Sequence, residues 1–575
     1  MQHTFQTVLV KYDDTLDSCG EMDFYMKHLN STMLIENLHK SWYLKGSLNN
    51  NILNLVCLKS LTNDYKIELK SYFHSLKHIR DTKMIFYINH NGSGNYLTKL
   101  EDFFKYCWHK KSLNVIAIFK DFYRTKYFYA YRPFPKFKME LRIIENKSVI
   151  FPNRLKNIMG YKLLTLPDQV EPRTYLTKNK NGKIKISGYV GHFIHLLAER
   201  LNATLKFPYP IKKGDLLFYG YLETLARNYT IDFAATIAPV LDPRQMLYYS
   251  YPFQITNVCL MIPLAKTMAF KEMFFYMMGV KACIISVLNL YLFTLVINLK
   301  RLNFFGRQSN YIMKCSDFFL NDIALRGILG QPFKIWIKAG FLTKYIYVLL
   351  SVTGLYLSVM YGALLQTLLT RPLKEKQLKT FNDLRQNQVY TLLSDTEVLH
   401  YEKRGMSFNL LRKTATYKEY NYMRSHLNTS YAYPTTDMQW DTLFNQQQNL
   451  FKNKIFMFSN EACFLRTNFL SFPQAQNTIY REPIHELILL AREHGLAHHW
   501  LQTNFLDMLA AGNSTLIDFS VASKRERPLS MDDLELVFIM YTSVLTLAIF
   551  VFFIEKLIFK CKLKHLCRRF KRIYS

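Results

Sequence analysis

Twenty-five consecutive residues without a charged side chain, Tyr345–Leu369 (YIYVLLSVTGLYLSVMYGALLQTLL), constrain this chain more than any other stretch. Lys344 and Arg371 bracket the run. A helix crosses a bilayer with ~20 predominantly apolar residues, and a helix in a large soluble core seldom runs this long without one charge. The stretch is read as a membrane span. Small and polar residues recur along it (Ser351, Thr353, Gly354, Ser358, Gly362, Ala363, Gln366, Thr367). They mark a helix that packs closely against others or faces water, not one surrounded by lipid.

Two more uncharged runs qualify as spans: Ala282–Leu299, extended by the preceding MFFYMMGVK, and Leu536–Ile554. Between the first of these and Tyr345, the apolar segment Phe318–Ile337 is interrupted by Asp322, Arg326, Pro332 and Lys334. Such a segment is too charged for lipid but can dip in and return where protein covers it. Parity tests this. Seven acceptor sequons occur, at Asn30, Asn91, Asn146, Asn202, Asn228, Asn428 and Asn513, and none lies in 266–372 or in the tail. A re-entrant loop places all seven on one side, outside. It places Lys300, Arg301, Arg307, Lys314 and the basic tail inside, as the positive-inside rule requires. A full crossing would put the tail outside.

The formal charge of +31 raises the question of nucleic acid. The cations are scattered, and no recognition motif for DNA or RNA is present. The exception is the tail KLIFKCKLKHLCRRFKRIYS, with eight Lys or Arg and no acid. Beside a span, that is a cytoplasmic anchor against membrane lipids. Lys11, Asp13, Asp14 and Asp17 interrupt any apolar core at the start, so no signal peptide is read there. Of the nine cysteines, Cys19, Cys57, Cys107, Cys259 and Cys463 fall in regions expected outside. An odd number leaves at least one unpaired, and the connectivity stays open.

Along the chain, the apolar runs Ile52–Leu58, Met84–Ile88 and Val115–Phe119 read as buried strands within residues 1–147. The GSG of His90–Asn95 lacks the strand–turn–helix context of a phosphate cradle. SGYVGHFIHLLAERLNATLKF reads as turn, amphipathic helix and strand. YTIDFAATIAPVLDPRQMLYYSYPFQITNVCLMIP reads as strand, proline-rich turn, short helix and strand. After the uncharged run, FNDLRQNQVYTLLSDTEVLHY reads as helix, strand, turn and helix. REPIHELILLAREHG follows as a helix stopped by Gly495. Alternating strands and helices imply parallel α/β architecture.

No enzyme signature is present. Glu482, His485, His494, His498 and His499 crowd one helix region without HExxH or another ligand spacing, which suits a solvated helix face, and no metal or other cofactor is implied.

Five passages together resemble the ionotropic glutamate receptors. The exit MYGALLQTLLTRP is similar to that family's gate helix. Laid ungapped on the pattern SYTANLAAFLT, Tyr361, Ala363, Leu365, Leu369 and Thr370 coincide. GYVGHFIHLLA and DFAATIAP, then an arginine and YPF, are similar to the first half of the family's ligand-binding clamshell. FNDLRQNQVYTLLSDTEVLHY and the helix before Gly495 and Trp500 are similar to its second half. The resemblance covers about residues 150–560. The short region before it points to the insect branch, the chemosensory ionotropic receptors.

The resemblance implies a multi-domain membrane protein. An extracellular α/β two-lobed, periplasmic-binding-protein-like clamshell is joined to an α-helical transmembrane pore with three spans and a re-entrant loop. The expected parts are a short extracellular α/β region (1–147), clamshell halves at 148–272 and 373–533, and spans at 273–299, 345–370 and 536–554. A pore loop at 315–337 and a basic cytoplasmic tail at 555–575 complete it.

The resemblance also implies site residues. Arg244 lies twelve residues after Asp232, where family members grip a ligand carboxylate. The family's hydroxyl-rich helix start falls at Ser394 and Thr396, and its ammonium-binding acid near Asn460 and Glu461. Pro239 stands where a threonine is usual, and the cysteine pair bracing the second lobe is absent, so glutamate itself is not the expected ligand. Gln331, in Gly330-Gln331-Pro332, falls where the family narrows its pore, and Tyr361 and Leu365 fall at the gate.

The resulting expectation is a ligand-gated cation channel subunit for taste or smell, not an enzyme. It would sit in the plasma membrane with its N-terminus outside and its C-terminus in the cytoplasm. A small tastant or odorant would open it, within a tetrameric hetero-oligomer containing co-receptor subunits. The alternative is a non-conducting binding or trafficking subunit of such a complex.

Overall fold

The structure, a computed structural model, describes residues 5–573 except 13–18, 21–25, 27–30, 49, 62–63, 91–95, 146–148, 179–181, 269–271, 274–278, 306–320, 335–339, 371–372, 403–410, 521–530 and 532–533. Expectations for Asn30, Asn91 and Asn146, the glycine loop at 91–95 and both ends of the pore loop fall outside the described residues. The chain forms two compact units, Met1–Pro263 with Lys379–Ser520, and Leu264–Leu378 with Val521–Ser575.

The first unit opens with a seven-stranded sheet. Its strands are β1 (Thr7–Tyr12), β2 (Thr32–Asn37), β3 (Ile52–Leu58), β4 (Lys83–Ile88), β5 (Val115–Phe119), β6 (Tyr127–Arg132) and β7 (Lys138–Ile143), in the order β2-β1-β3-β4-β5-β6-β7. The first five pair parallel, and β6 and β7 close the edge antiparallel. The runs ILNLVCL and VIAIF carry almost no polar residue because central parallel strands are covered on both faces. Helix Tyr96–His109 turns Tyr96, Leu100, Phe103, Phe104 and Cys107 inward at helical spacing to cover one face. Cys19 and Cys57 are bonded, whereas Cys107 is free and buried.

A second region is built on parallel β8 (Lys162–Pro167), with β11 (Thr204–Lys206) and β12 (Phe233–Ala235) on either side. The hairpin of β9 (Tyr175–Lys178) and β10 (Ile184–Ser187) leads into helix Tyr189–Arg200, which buries Phe193, Ile194 and Leu197 against that sheet. A third region packs parallel β15 (Thr391–Ser394) and β16 (Arg412–Ala415) with helices Asp395–Glu402 and Tyr417–Ser425.

Two long strands join these regions. β14 (Tyr249–Pro263) and β18 (Phe456–Pro473) pair antiparallel along most of their length, flanked by β13 (Ala238–Pro239) and β17 (Tyr433–Thr436). At one end Phe253, Leu470 and Phe472 enter the core around Phe193, and at the other Met261 and Phe456 enter the core around Tyr420 and Tyr433. A disulfide between Cys259 and Cys463 ties the strands between the two cores.

Among the described residues the second unit holds three helices long and apolar enough to cross a membrane, with candidate spans Cys283–Lys300, Phe341–Leu368 and Val537–Leu557. Between the first two, helix Asp322–Ile328 has seven residues, ~10 Å of rise, against a hydrocarbon core of ~30 Å. Asn321 caps it, accepting the Ile323 N–H at 3.0 Å and donating to Asn298 Oδ1 at 2.7 Å. Phe293 and Ile297 of the first long helix, Ala324, and Tyr347 and Leu350 of the second form one buried cluster.

Candidate functional site

β8 and β12 end side by side, at Pro167 and Ala235, and open parallel sheets bind ligands beyond the carboxyl ends of their strands. Asp168 sits there, fully buried. Its carboxylate accepts from the Thr236 hydroxyl at 2.7 Å, the Val170 N–H at 3.2 Å and the Thr174 hydroxyl, and pairs with Arg173 at 2.6 Å. Arg173 also donates to the Ile237 carbonyl at 3.0 Å. Burial works against the Arg173 charge, but Asp168 together with Tyr189, Tyr417 and Tyr219 outweighs it and holds its pKa above the ordinary value.

The loop bearing Arg173 is held by a helix start. The Val190 N–H donates to the Arg173 carbonyl at 3.1 Å, and Gly188, at φ +93°, makes room for it. A Cβ on Gly188 would lie 2.5 Å from that carbonyl oxygen, so only glycine fits.

Arg173 lines a cavity of about 130 Å³ between the two cores. Tyr189 and Tyr219 line it from one side, Tyr417, Tyr420, Glu397 and Arg424 from the other, and Val258, Leu465 and Asn468 from the long strands. Arg424 lies over the Tyr420 ring, 4.9 Å from its centroid, and donates to Asn421 Oδ1 at 2.8 Å. Burial raises the pKa of Glu397, with Arg424 and Arg173 acting the other way. Two buried donors, Arg173 Nε and Asn468 Nδ2, have no hydrogen-bond partner among the described residues. The cavity therefore offers N–H groups and aromatic faces, with its strongest cation already neutralised by Asp168. That arrangement suits a compact ligand with an acceptor oxygen.

The sequence-expected contacts lie elsewhere. Arg244 is exposed in the 3₁₀ turn Pro243–Tyr248, where Asp242 caps its backbone N–H at 2.9 Å, and it does not line the cavity. Asn460 and Glu461 are exposed on β18 and do not line it either. Ser394 is buried, with its hydroxyl 2.7 Å from that of exposed Thr396, while their neighbours Leu393 and Glu397 form the wall. Arg173 and Asn468 were missed. The available signal was an acid and an arginine, Asp168 and Arg173, directly after the apolar strand LLTLP.

In the second unit, Gln331 is exposed in the turn after the seven-residue helix, its N–H donating to the Arg326 carbonyl at 2.8 Å. Arg326 is paired with Asp322 at 3.0 Å. Gly330, at φ +68°, faces Ser358 of the long uncharged helix, and half-buried Tyr361 and Leu365 follow on that helix one turn apart. The segments entering and leaving this unit are joined. Thr267 pairs antiparallel with Lys374, the Met268 N–H reaches the Leu373 carbonyl at 2.8 Å, and the Glu375 N–H reaches the Lys266 carbonyl at 2.9 Å.

No protein-family model matches the chain, and no curated protein matches it either.

Proposed function

We propose that this chain is a ligand-gated cation-channel subunit of the chemosensory ionotropic receptor type. The observation that carries the reading is the seven-residue helix and its Gly330-Gln331 turn seated on a 30-residue helix that carries no charge after Lys344, between two other spans. A helix that short cannot cross, so the chain on either side of it returns to one face of the membrane. The cavity-bearing segments then lie outside, and the basic tail inside. Gln331 presents a neutral amide and backbone carbonyls to passing cations, and the Asp322 pair removes the local obstacle of Arg326.

The cavity between the two cores receives the ligand. Closure about β14 and β18 draws on segments 264–268 and 373–378, which move as one because they are hydrogen-bonded to each other. That is a hinge transition acting on a bistable pore. The assembly is a plasma-membrane hetero-tetramer with co-receptor subunits. The volume and the two idle donors favour a small acceptor-bearing odorant or tastant over an amino acid. Whole-cell recording from cells expressing the chain with candidate co-receptors tests this. An evoked cation current whose divalent permeability changes with Gln331→Arg supports it, and a current indifferent to that substitution removes Gln331 from the pore.

A further inference from the structure

A second cavity, of about 300 Å³, lies where the seven-stranded sheet meets the rest of the first unit. Sites for small molecules span roughly 300–1,000 Å³. The chemistry of its wall is unusual. Arg80, Lys83 and Lys111 come from the sheet region, Arg154 from the segment after β7, and Arg481 from the start of helix Arg481–Glu493.

The three guanidinium groups are anchored on backbone carbonyls instead of acids. Arg80 donates to Lys110 O at 2.9 Å and Phe73 O at 2.8 Å, Arg154 to Leu113 O at 2.9 Å, and Arg481 to Leu247 O at 2.8 Å. Among the described residues none of the three has a carboxylate within 4.0 Å, and Arg80 Nε is buried without a hydrogen-bond partner. Burial lowers the pKa of all three. All three are half-buried, and the acids that act on Arg154 (Glu140) and on Arg481 (Asp81 and Glu482) do so from beyond 4.0 Å, so an anion in the cavity would supply the close counter-charge that they lack.

Three acids also line the cavity. Glu486 is taken by Arg200 at 2.6 Å, and Glu482 and Asp81 are exposed, Asp81 accepting from the Asn50 amide at 3.2 Å. His78, buried in the wall, is held neutral, since burial lowers its pKa to about 4. Five cations against three acids, one of them already paired, leave an excess of positive charge.

We infer that this cavity is a site for a small doubly charged anion, a phosphate, a sulfate or a short dicarboxylate. The cations come from both sides of a junction already bridged by the His78 N–H to Asn477 Oδ1 bond at 2.8 Å. An anion held there fastens the N-terminal sheet to the region carrying the first cavity. The inference does not depend on the channel reading.

The test is the thermal unfolding midpoint of the full chain in detergent micelles, titrated with sodium phosphate, sodium sulfate or sodium succinate against sodium chloride at matched ionic strength. The expected result is a saturable rise with at least one dianion and none with chloride. Lys83→Gln/Lys111→Gln, which leaves the carbonyl-anchored arginines intact, abolishes the rise. Asp81→Asn removes the competing carboxylate and lowers the half-saturating concentration. A rise no larger than that with chloride, a rise unchanged in the double-lysine variant, or an unchanged half-saturation in Asp81→Asn overturns the site.

Discussion

Gly354 and Gly327 touch backbone to backbone, so closely that a Cβ on Gly354 would stand 1.8 Å from the Gly327 carbonyl oxygen. This contact seats the short loop helix on the long uncharged one, and a Cβ on Gly327 would in turn strike Leu350 at 2.4 Å. A methyl group at Gly354 cannot enter without moving backbone, and one at Gly327 cannot enter without displacing the Leu350 side chain. Gly354→Ala is expected to cost about 1–3 kcal/mol of overpacking. It should lower the melting temperature of the purified chain and remove evoked current. Ser358→Ala, one turn on, should do neither. An unaltered melting temperature in Gly354→Ala would show that the two helices are not in contact.

Asp168 and Arg173 form the best-buried ion pair at the first cavity. Removing one partner of such a pair costs about 3–5 kcal/mol, whereas replacing both with apolar residues of similar volume is often neutral. Asp168→Asn should therefore reduce surface expression sharply, and Asp168→Leu/Arg173→Met should restore much of it while abolishing ligand response. Surface biotinylation measures the first effect and dose–response recording the second.

Asn468 has an idle buried donor, while Arg244 is solvated. A neutral hydrogen bond contributes about 0.5–1.5 kcal/mol, roughly 2- to 13-fold in affinity. Asn468→Ala should raise the half-maximal ligand concentration by about that factor, and Arg244→Ala should leave it unchanged. The opposite pattern in a dose–response series would return the ligand to Arg244.

The sequons are not equivalent. Asn202, Asn228 and Asn428 are exposed, but Asn513 is half-buried and donates its amide to Glu171 at 2.8 Å. Deglycosylation followed by gel mobility should show a shift lost stepwise with Gln at the first three positions and unaffected by Asn513→Gln. A glycan at Asn513 would mean that the amide is free.

His78 and His485 are both held near pKa 4, chiefly by burial, below the ordinary value of 6.5. Between those pH values the unfolded chain binds more protons than the folded one, so stability falls as pH drops from 6.5 toward 4. The melting temperature should decline across that window, and His78→Gln/His485→Gln should flatten the decline. An equally steep decline in the double variant would assign it to other groups.

What the sequence discloses here is whatever is local. The uncharged run shows the long helix, and the apolar runs around Val56 and Ile118 show parallel strands, because each signal lies within one element. The pairing of β14 with β18 was not legible, since Cys259 and Cys463 are 204 residues apart and nothing in either strand names its partner. The same reason explains the arginine. Arg244 has the right spacing along the chain, but the 3₁₀ turn capped by Asp242 directs it to solvent. Arg173 reaches the cavity only because Gly188 lets a helix start grip its loop.

The central claim, that a ligand in the external cavity opens a cation pore in this chain, is tested most directly by one recording. Cells expressing the chain with candidate co-receptors are challenged with a panel of small carbonyl compounds, such as cyclohexanone, benzaldehyde and butyric acid, and reversal potentials are measured for the native chain and Gln331→Arg. The account predicts an inward cation current, weakened by Asn468→Ala, whose divalent permeability falls with Gln331→Arg. A chain that reaches the surface with every co-receptor, yet gives currents blind to both substitutions, would contradict it.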